Sequence, residues 1–179
     1  MNMFITEMYK DAWNKFARFK AVTNIARAMP DKLASKMVLE QGQILCTAHR
    51  KCDEVDNDKA VDQRLYKIAH VNHPVCIWAR SSTGNYRFSY LLFVALGREF
   101  YYRRGKHHKT FLDLHEPLKK PPYHLPNGNF TEPPQCMPDE YKHKNYARAY
   151  RNYIMYDKDY LSWDWGRRPP MWYLDSIMV

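Results

Sequence analysis

From Asn85 to Arg104 the chain reads NYRFSYLLFVALGREFYYRR, and between Tyr90 and Leu96 nearly every position is apolar. As a helix, such a segment has no face to give to water, so it predicts a central element surrounded by others. Gly97 lies inside it at modest cost. A basic last turn followed by Gly105 suits the negative end of the helix dipole and a left-handed terminal residue. Only 6 glycines occur in 179 residues, too few to punctuate a strand-and-turn architecture. The expected fold is all-α: a single-domain helical bundle, at a length that buries roughly 70% of the unfolded surface.

Around this centre the sequence predicts an N-terminal helix in residues 1–30, core helices in 31–118, a proline-rich surface loop over 119–138, and a C-terminal helix with an aromatic tail in 139–179. The first helix is expected from Thr6, as its cap, to Met29, with Met8, Ala12, Phe16 and Phe19 on one face. Pro30 and Asp31 mark a break. A second helix is expected from Asp31 to about Arg50, its apolar positions Leu33, Met37, Val38, Ile44, Leu45 and Ala48 recurring at the 3.6-residue period. The polar stretch KCDEVDNDKAVD reads as a loop, Ala60–Ala69 as a short helix, and Thr110–Leu118 as one or two turns. KKPPYHLPNGNFTEPPQCMP is too rich in proline for regular structure. Pro138-Asp139-Glu140 predicts the start of a last long helix reaching about Leu161, and SWDWGRRPPMWY a tail docked on the body.

The net charge is +9 before counting 8 His, and aromatic residues reach 15%. A basic field of that size raises local phosphate concentration, which favours a nucleic-acid partner over acidic small molecules. An acidic protein partner, or mere solubility, accounts for the charge as well. Cys46, Cys52, Cys76 and Cys136 form no CxxC pair, and the opening MNMFITEMYKDAW lacks the basic start and apolar core of a signal peptide. No run approaches 18 uncharged apolar residues, so no membrane span is expected. Reduced thiols in a cytoplasm are the expectation that follows.

The densest cationic run is Arg98-Glu99-Phe100-Tyr101-Tyr102-Arg103-Arg104-Gly105-Lys106-His107-His108-Lys109, where cations alternate with rings that suit a phosphate backbone and stacked bases. Its one carboxylate, Glu99, reads either as an i,i+4 ion pair with Arg103 or as a general base. Lys36 and Glu40 stand one turn apart on a polar stripe with Gln43 and Thr47, either a solvated face or an amine beside a carboxylate. His70 and His73, and Cys46, His49 and Cys52, recur every three residues but match no established metal-ligand pattern, so no metal and no cofactor are assigned. Tyr146, Tyr150 and Tyr153 share a helical face, which fits a core with hydroxyls reaching the surface or one wall of a basic groove.

The blocks KMVLEQGQILCTAHR, LYKIAHVNHPVCIWARSSTGNY, EFYYRRGKHHK, MPDEYK and AYRNYI, in that order, resemble a family of small, functionally obscure proteins encoded by tailed phages, especially those of marine bacteria. The resemblance covers most of the chain after Asp31. It carries Asp31, Lys32, Lys36, Glu40, His49, Asn72, His73, Trp78, Arg80, Ser82, Asn85, Tyr86, Glu99, Arg103, Lys106 and His108, many of them polar. The chain departs from the family pattern at Met29 and Leu33, where relatives often have His, and has a longer N-terminal helix. A looser similarity of layout links it to the phage pyrimidine-dimer DNA glycosylases.

The resemblance and the charge together imply a phage-type accessory protein that binds nucleic acid, DNA ahead of RNA, and acts on a base in the manner of a glycosylase or lyase. Such chemistry needs an exposed base and a cationic groove. In that reading Arg103, Arg104, Lys106 and Lys109 contact phosphate, Arg80 also binds the nucleic acid, Trp78 and Tyr86 stack, Asn72 and Asn85 read base edges, and Glu99 with His73 or His108 moves protons. The rival readings are a non-enzymatic binder of a host protein or nucleic acid in the host cytoplasm, and a small enzyme acting on nucleotides. The last lacks a glycine-rich phosphate loop.

Overall fold

A computed structural model describes residues 1–53, 64–158 and 160–178. Among these the chain is all-α, with helices α1 (Lys15–Ala28), α2 (Asp31–Cys52), α3 (Pro74–Ala79), α4 (Thr83–Arg104), α5 (Lys109–Leu114), α6 (Tyr146–Asp157) and α7 (Met171–Ile177). None of them is long and apolar enough to cross a membrane. α4 is the central element and packs most extensively on α2 and α1. Ser82 caps it by accepting from Asn85 N, and Gly105 closes it at φ 65°. Glycine lets α5 close in. A Cβ on Gly97 would come within 2.2 Å of the Phe111 ring, so the missing side chain is the slot that the ring fills.

The N-terminal segment differs from the expectation. Asn14 caps a helix that begins only at Lys15, whereas Met3, Phe4, Ile5 and Thr6 are buried in succession. Consecutive buried residues cannot share one face of a helix, so residues 1–13 enter the core as an irregular strap. Tyr9 N donates to the Tyr146 hydroxyl at 2.8 Å, and Asp11 accepts from Phe130 N at 2.6 Å. Thr6 caps nothing. The expected inner residue Phe16 is 87% exposed, and the inner face of α1 is Ala21, Val22, Ile25, Ala26 and Ala28.

The C-terminal helix is shorter than its tyrosine repeat predicts. A single 3-10 turn over Asp139–Tyr141 precedes α6, which starts at Tyr146 with Asn145 as its cap. Between them Gln135 pairs with both backbone groups of His143, at 3.0 and 2.7 Å, and so holds that residue out of a helix. Tyr146 and Tyr150 are core, the Tyr150 hydroxyl donating to Pro134 O at 2.7 Å. The expected helix over 60–69 begins outside the described residues. Its remainder is not helical, because Arg50 takes the Leu65 and Tyr66 carbonyls at 2.6 and 2.7 Å.

The proline-rich stretch has no regular structure, as expected, yet it is a docked strap. Pro126 O and Gly128 O accept from Thr83 N and Gly84 N, each at 2.9 Å, and Thr131 N donates to Asn85 Oδ1 at 2.8 Å. The first two contacts satisfy donors at the open N-terminus of α4, and the third ties the strap to its first turn. Gly84 makes room for them, since a Cβ there would lie 2.2 Å from Phe130 N.

Candidate nucleic-acid interface

The last turns of α4 separate the cationic run into an inner and an outer set. Inside, the Arg103 side chain is 1% exposed. Its Nε donates to Glu99 Oε1 at 2.7 Å, and its Nη1 to Asp31 Oδ1 at 2.8 Å and Met29 O at 2.9 Å. Arg167, from the C-terminal tail, completes the network with bonds of 2.7 and 2.8 Å to the two Glu99 oxygens. The second Asp31 oxygen accepts from the backbone N–H groups of Asp164 and Trp165. Burial pushes the Glu99 carboxyl up, but the hydrogen bonds from Arg167 and Arg103 outweigh it and hold the pKa below 4.5. Glu99 is thus an ion-pair anchor between α4, α2 and the tail. Arg103 faces the interior, away from any phosphate.

His108 and His73 are both helix caps. His108 Nδ1 accepts from Thr110 N at 3.2 Å, and His73 Nδ1 accepts from Val75 N at 3.3 Å. An accepting Nδ1 places the proton of the neutral ring on Nε2, so each imidazole offers a donor to a ligand and no basic nitrogen. Burial lowers the pKa of both and favours this neutral form. His73 is set near Glu40, whose charge partly offsets that shift. Glu99 and His108 lie at the end of α4, and His73 caps α3, so the three do not meet in one cleft.

Trp78, Tyr86 and Asn85 belong to the core around the other end of α4. Trp78 is 7% exposed and its Nε1 donates to Thr131 Oγ1 at 3.0 Å. Tyr86 is 2% exposed, with its hydroxyl 2.8 Å from both His49 Nε2 and Leu118 O. Asn85 is wholly buried, and its Nδ2 donates to Trp78 O at 3.0 Å. Such residues hold the strap on α4 and present no ring or amide to a base. Arg80 is half-buried and Asn72 exposed. About 20 residues of helix, roughly 30 Å, separate this end from Lys106.

The outer set is solvent-facing. Arg104, Lys106 and Lys109 are exposed, as are Tyr101 and Tyr102 at 49% and 58%. Lys109 pairs with Asp113 at 2.6 Å, whereas among the described residues Arg104, Lys106 and Arg168 form no ion pair. Rings and cations alternate across this end: Arg104 lies 4.4 Å from the Trp165 ring centroid and Arg167 3.8 Å from that of Tyr102. His107 stacks on Tyr101 at 4.5 Å. Trp165 and Arg167 come from the tail, whose GRRPP composition was the only sign in the sequence that it adds to the cationic run.

A second arrangement lies on α2. Glu40 has a side chain only 10% exposed, next to a Lys36 that is 63% exposed, with 3.3 Å between Lys36 Nζ and Glu40 Oε1. Glu40 Oε2 accepts from Asn2 N at 3.0 Å. The carboxylate is recessed beneath an exposed amine, beside the His73 imidazole. Among the described residues no three His, Cys, Asp or Glu side chains gather closely enough to hold a metal ion. His49 is instead bonded to Tyr86, and Cys52 Sγ donates weakly to Arg80 O at 4.0 Å. No family model, curated protein or solved structure matches this chain.

Proposed function

We propose that the protein binds nucleic acid, with DNA as the first candidate, through the exposed end of α4 and the tail. One observation carries the reading: cations with no carboxylate partner among the described residues, Arg104, Lys106 and Arg168, stand among exposed rings at one end of a chain of charge +9. Unpaired cations release counterions when they meet phosphate, and rings add stacking. His108 adds an Nε2–H donor at the edge of the same surface. Anisotropy with a labelled duplex, titrated over salt, tests the reading. Affinity is expected to fall steeply with salt, and the combined Arg104→Ala, Lys106→Ala, Arg168→Ala variant to bind weakly with a shallower salt slope. A variant that binds like the parent overturns it. Salt-independent capture of a host protein through this end is the rival outcome.

A second reading, base chemistry of the lyase type, is favoured by the recessed Glu40 beneath Lys36. An amine there adds to the C1′ aldehyde of an abasic sugar and water leaves, giving an imine, while Glu40 carries protons. Borohydride reduces that imine to a stable secondary amine. Incubation with abasic duplex and borohydride is expected to leave a covalent adduct that Lys36→Met removes and Glu40→Gln slows. An adduct undiminished in Lys36→Met assigns the nucleophile elsewhere, and none in the parent removes the lyase reading.

A further inference from the structure

We propose that the groove between α1, α6 and the N-terminal strap seats an unpaired base of the bound nucleic acid. This inference rests on the nucleic-acid reading and specifies that a single strand is held. Two adjoining hollows, about 600 Å³ and about 240 Å³, share Glu7, Met8 and Trp13 as a common wall. The half-buried Trp13 indole thus borders both. Tyr156, 64% exposed, stands on the α6 side.

The polar groups sort into two kinds. Arg151 is engaged by the fold: its Nε donates to Thr6 O at 2.8 Å, its Nη2 to Glu7 Oε1 at 3.0 Å, and its guanidinium lies 5.7 Å from the Trp172 ring centroid. That neutralises Glu7, the one carboxylate lining the hollows among the described residues. Asn145 is likewise engaged as the α6 cap. Arg148, which is exposed, and Asn152 make no side-chain hydrogen bond or ion pair among the described residues. The groove therefore offers an indole face, a cation and a free amide, which match a base π-face, a phosphate and a base edge.

Helix α1 connects this groove with the outer cations. Lys20 and Asn24 line the smaller hollow, and Arg27 follows at the same helical spacing. At that end Arg103 takes the Ala26 and Arg27 carbonyls, at 3.4 and 3.1 Å. A strand lying along α1 thus passes from Trp13 to the exposed end of α4 over about 20 Å of helix. A duplex hides its base faces and gains nothing from an indole-walled slot. A flexible acidic peptide matches the cations but brings no ring to the indole.

The test compares an oligo-dT strand of roughly twelve nucleotides with a duplex of the same length, both labelled, at fixed salt. Trp13→Ala is expected to weaken the single strand about tenfold, within the range for losing one stacked base, and to leave the duplex unchanged. Trp13→Phe retains a ring and is expected to restore most of the loss. Arg148→Ala, at an exposed site that cannot unfold the core, is expected to weaken the single strand alone. Equal effects on both ligands, or none, overturn the groove while leaving the general reading intact. Poly-glutamate that displaces oligo-dT from the parent but not from Trp13→Ala assigns the groove to an acidic peptide and likewise overturns it. If neither labelled ligand binds the parent protein, the nucleic-acid reading fails as well.

Discussion

Arg103 and Arg104 are neighbours in sequence with opposite fates, and so are the two regions they enter. Arg103 turns inward to a network in which two carboxylates, two guanidiniums and several carbonyls satisfy one another. Arg104 turns outward, where it lies over the Trp165 ring and, among the described residues, forms no ion pair. The inner region joins α1, α2, α4 and the tail, while the outer one leaves its charge to whatever approaches. A cationic run in a helix is therefore not one functional unit. Helical geometry gives each residue about 100° of rotation from the last, so alternate positions in such a run serve structure and binding separately.

The sharpest way to break this distinction is to delete each arginine. Arg103→Ala leaves Glu99 and Asp31 buried without their shared partner and is expected to destabilise by about 3–5 kcal/mol in urea unfolding. Arg104→Ala is expected to change stability by no more than about 0.5 kcal/mol. Similar losses for both would erase the inner and outer regions as separate entities.

A pH titration sharpens the inner half. Because the folded Glu99 pKa lies below 4.5, its contribution is present above the unfolded value and is lost as pH falls through the folded one. The urea midpoint of the parent should therefore drop in acid below about pH 4.5, and Glu99→Gln, weaker at neutral pH, should show a shallower drop. Parallel curves for the two proteins would contradict this role.

His108 lies at the border, where its side chain caps α5. His108→Ala is expected to cost about 1 kcal/mol, as lost caps do. Its folded pKa lies below 6.5, so the stability it adds is present above that value and fades as pH falls below it. His108→Asn keeps an accepting cap without a titration, and should flatten the stability profile just below pH 6.5. The smallest stability effect belongs to the outer set: Arg104→Ala with Lys106→Ala should unfold like the parent. Its salt slope in DNA binding should nevertheless fall by roughly 1–2, near 0.9 for each lost phosphate contact.

Much of the fold was legible. α2 carries an apolar face at helical period, α4 is apolar on nearly every side, and Pro30 and Gly105 mark a start and an end in local chemistry. The N-terminal strap was not legible, because Met8 and Phe16 satisfy a helical spacing that α1 does not bury, while Met3, Phe4 and Ile5 fill the interior in an irregular chain. Nor was the break before α6, where Gln135, eight residues away from His143, competes for the backbone. For the site, the Glu99–Arg103 pair followed from i,i+4 spacing. Arg167 did not, since it joins Glu99 across 68 positions of sequence. Trp78, Tyr86 and Asn85 have residue types equally suited to a base-binding cleft and to a core, and their burial among Phe88, Phe130 and the strap decides between the two.

By itself, then, the amino-acid order determined that the chain is helical, where its two longest helices run, and that it carries a large positive charge, because periodicity, caps and net charge are local or additive properties. Only the tertiary structure decided which cations are internal and which face solvent, that the N-terminal residues fill the core, and that Trp13, Arg148 and Asn152 border one groove. Those outcomes depend on packing and on polar partners far apart in the chain, and a buried carboxylate accepts whichever guanidinium the fold brings to it.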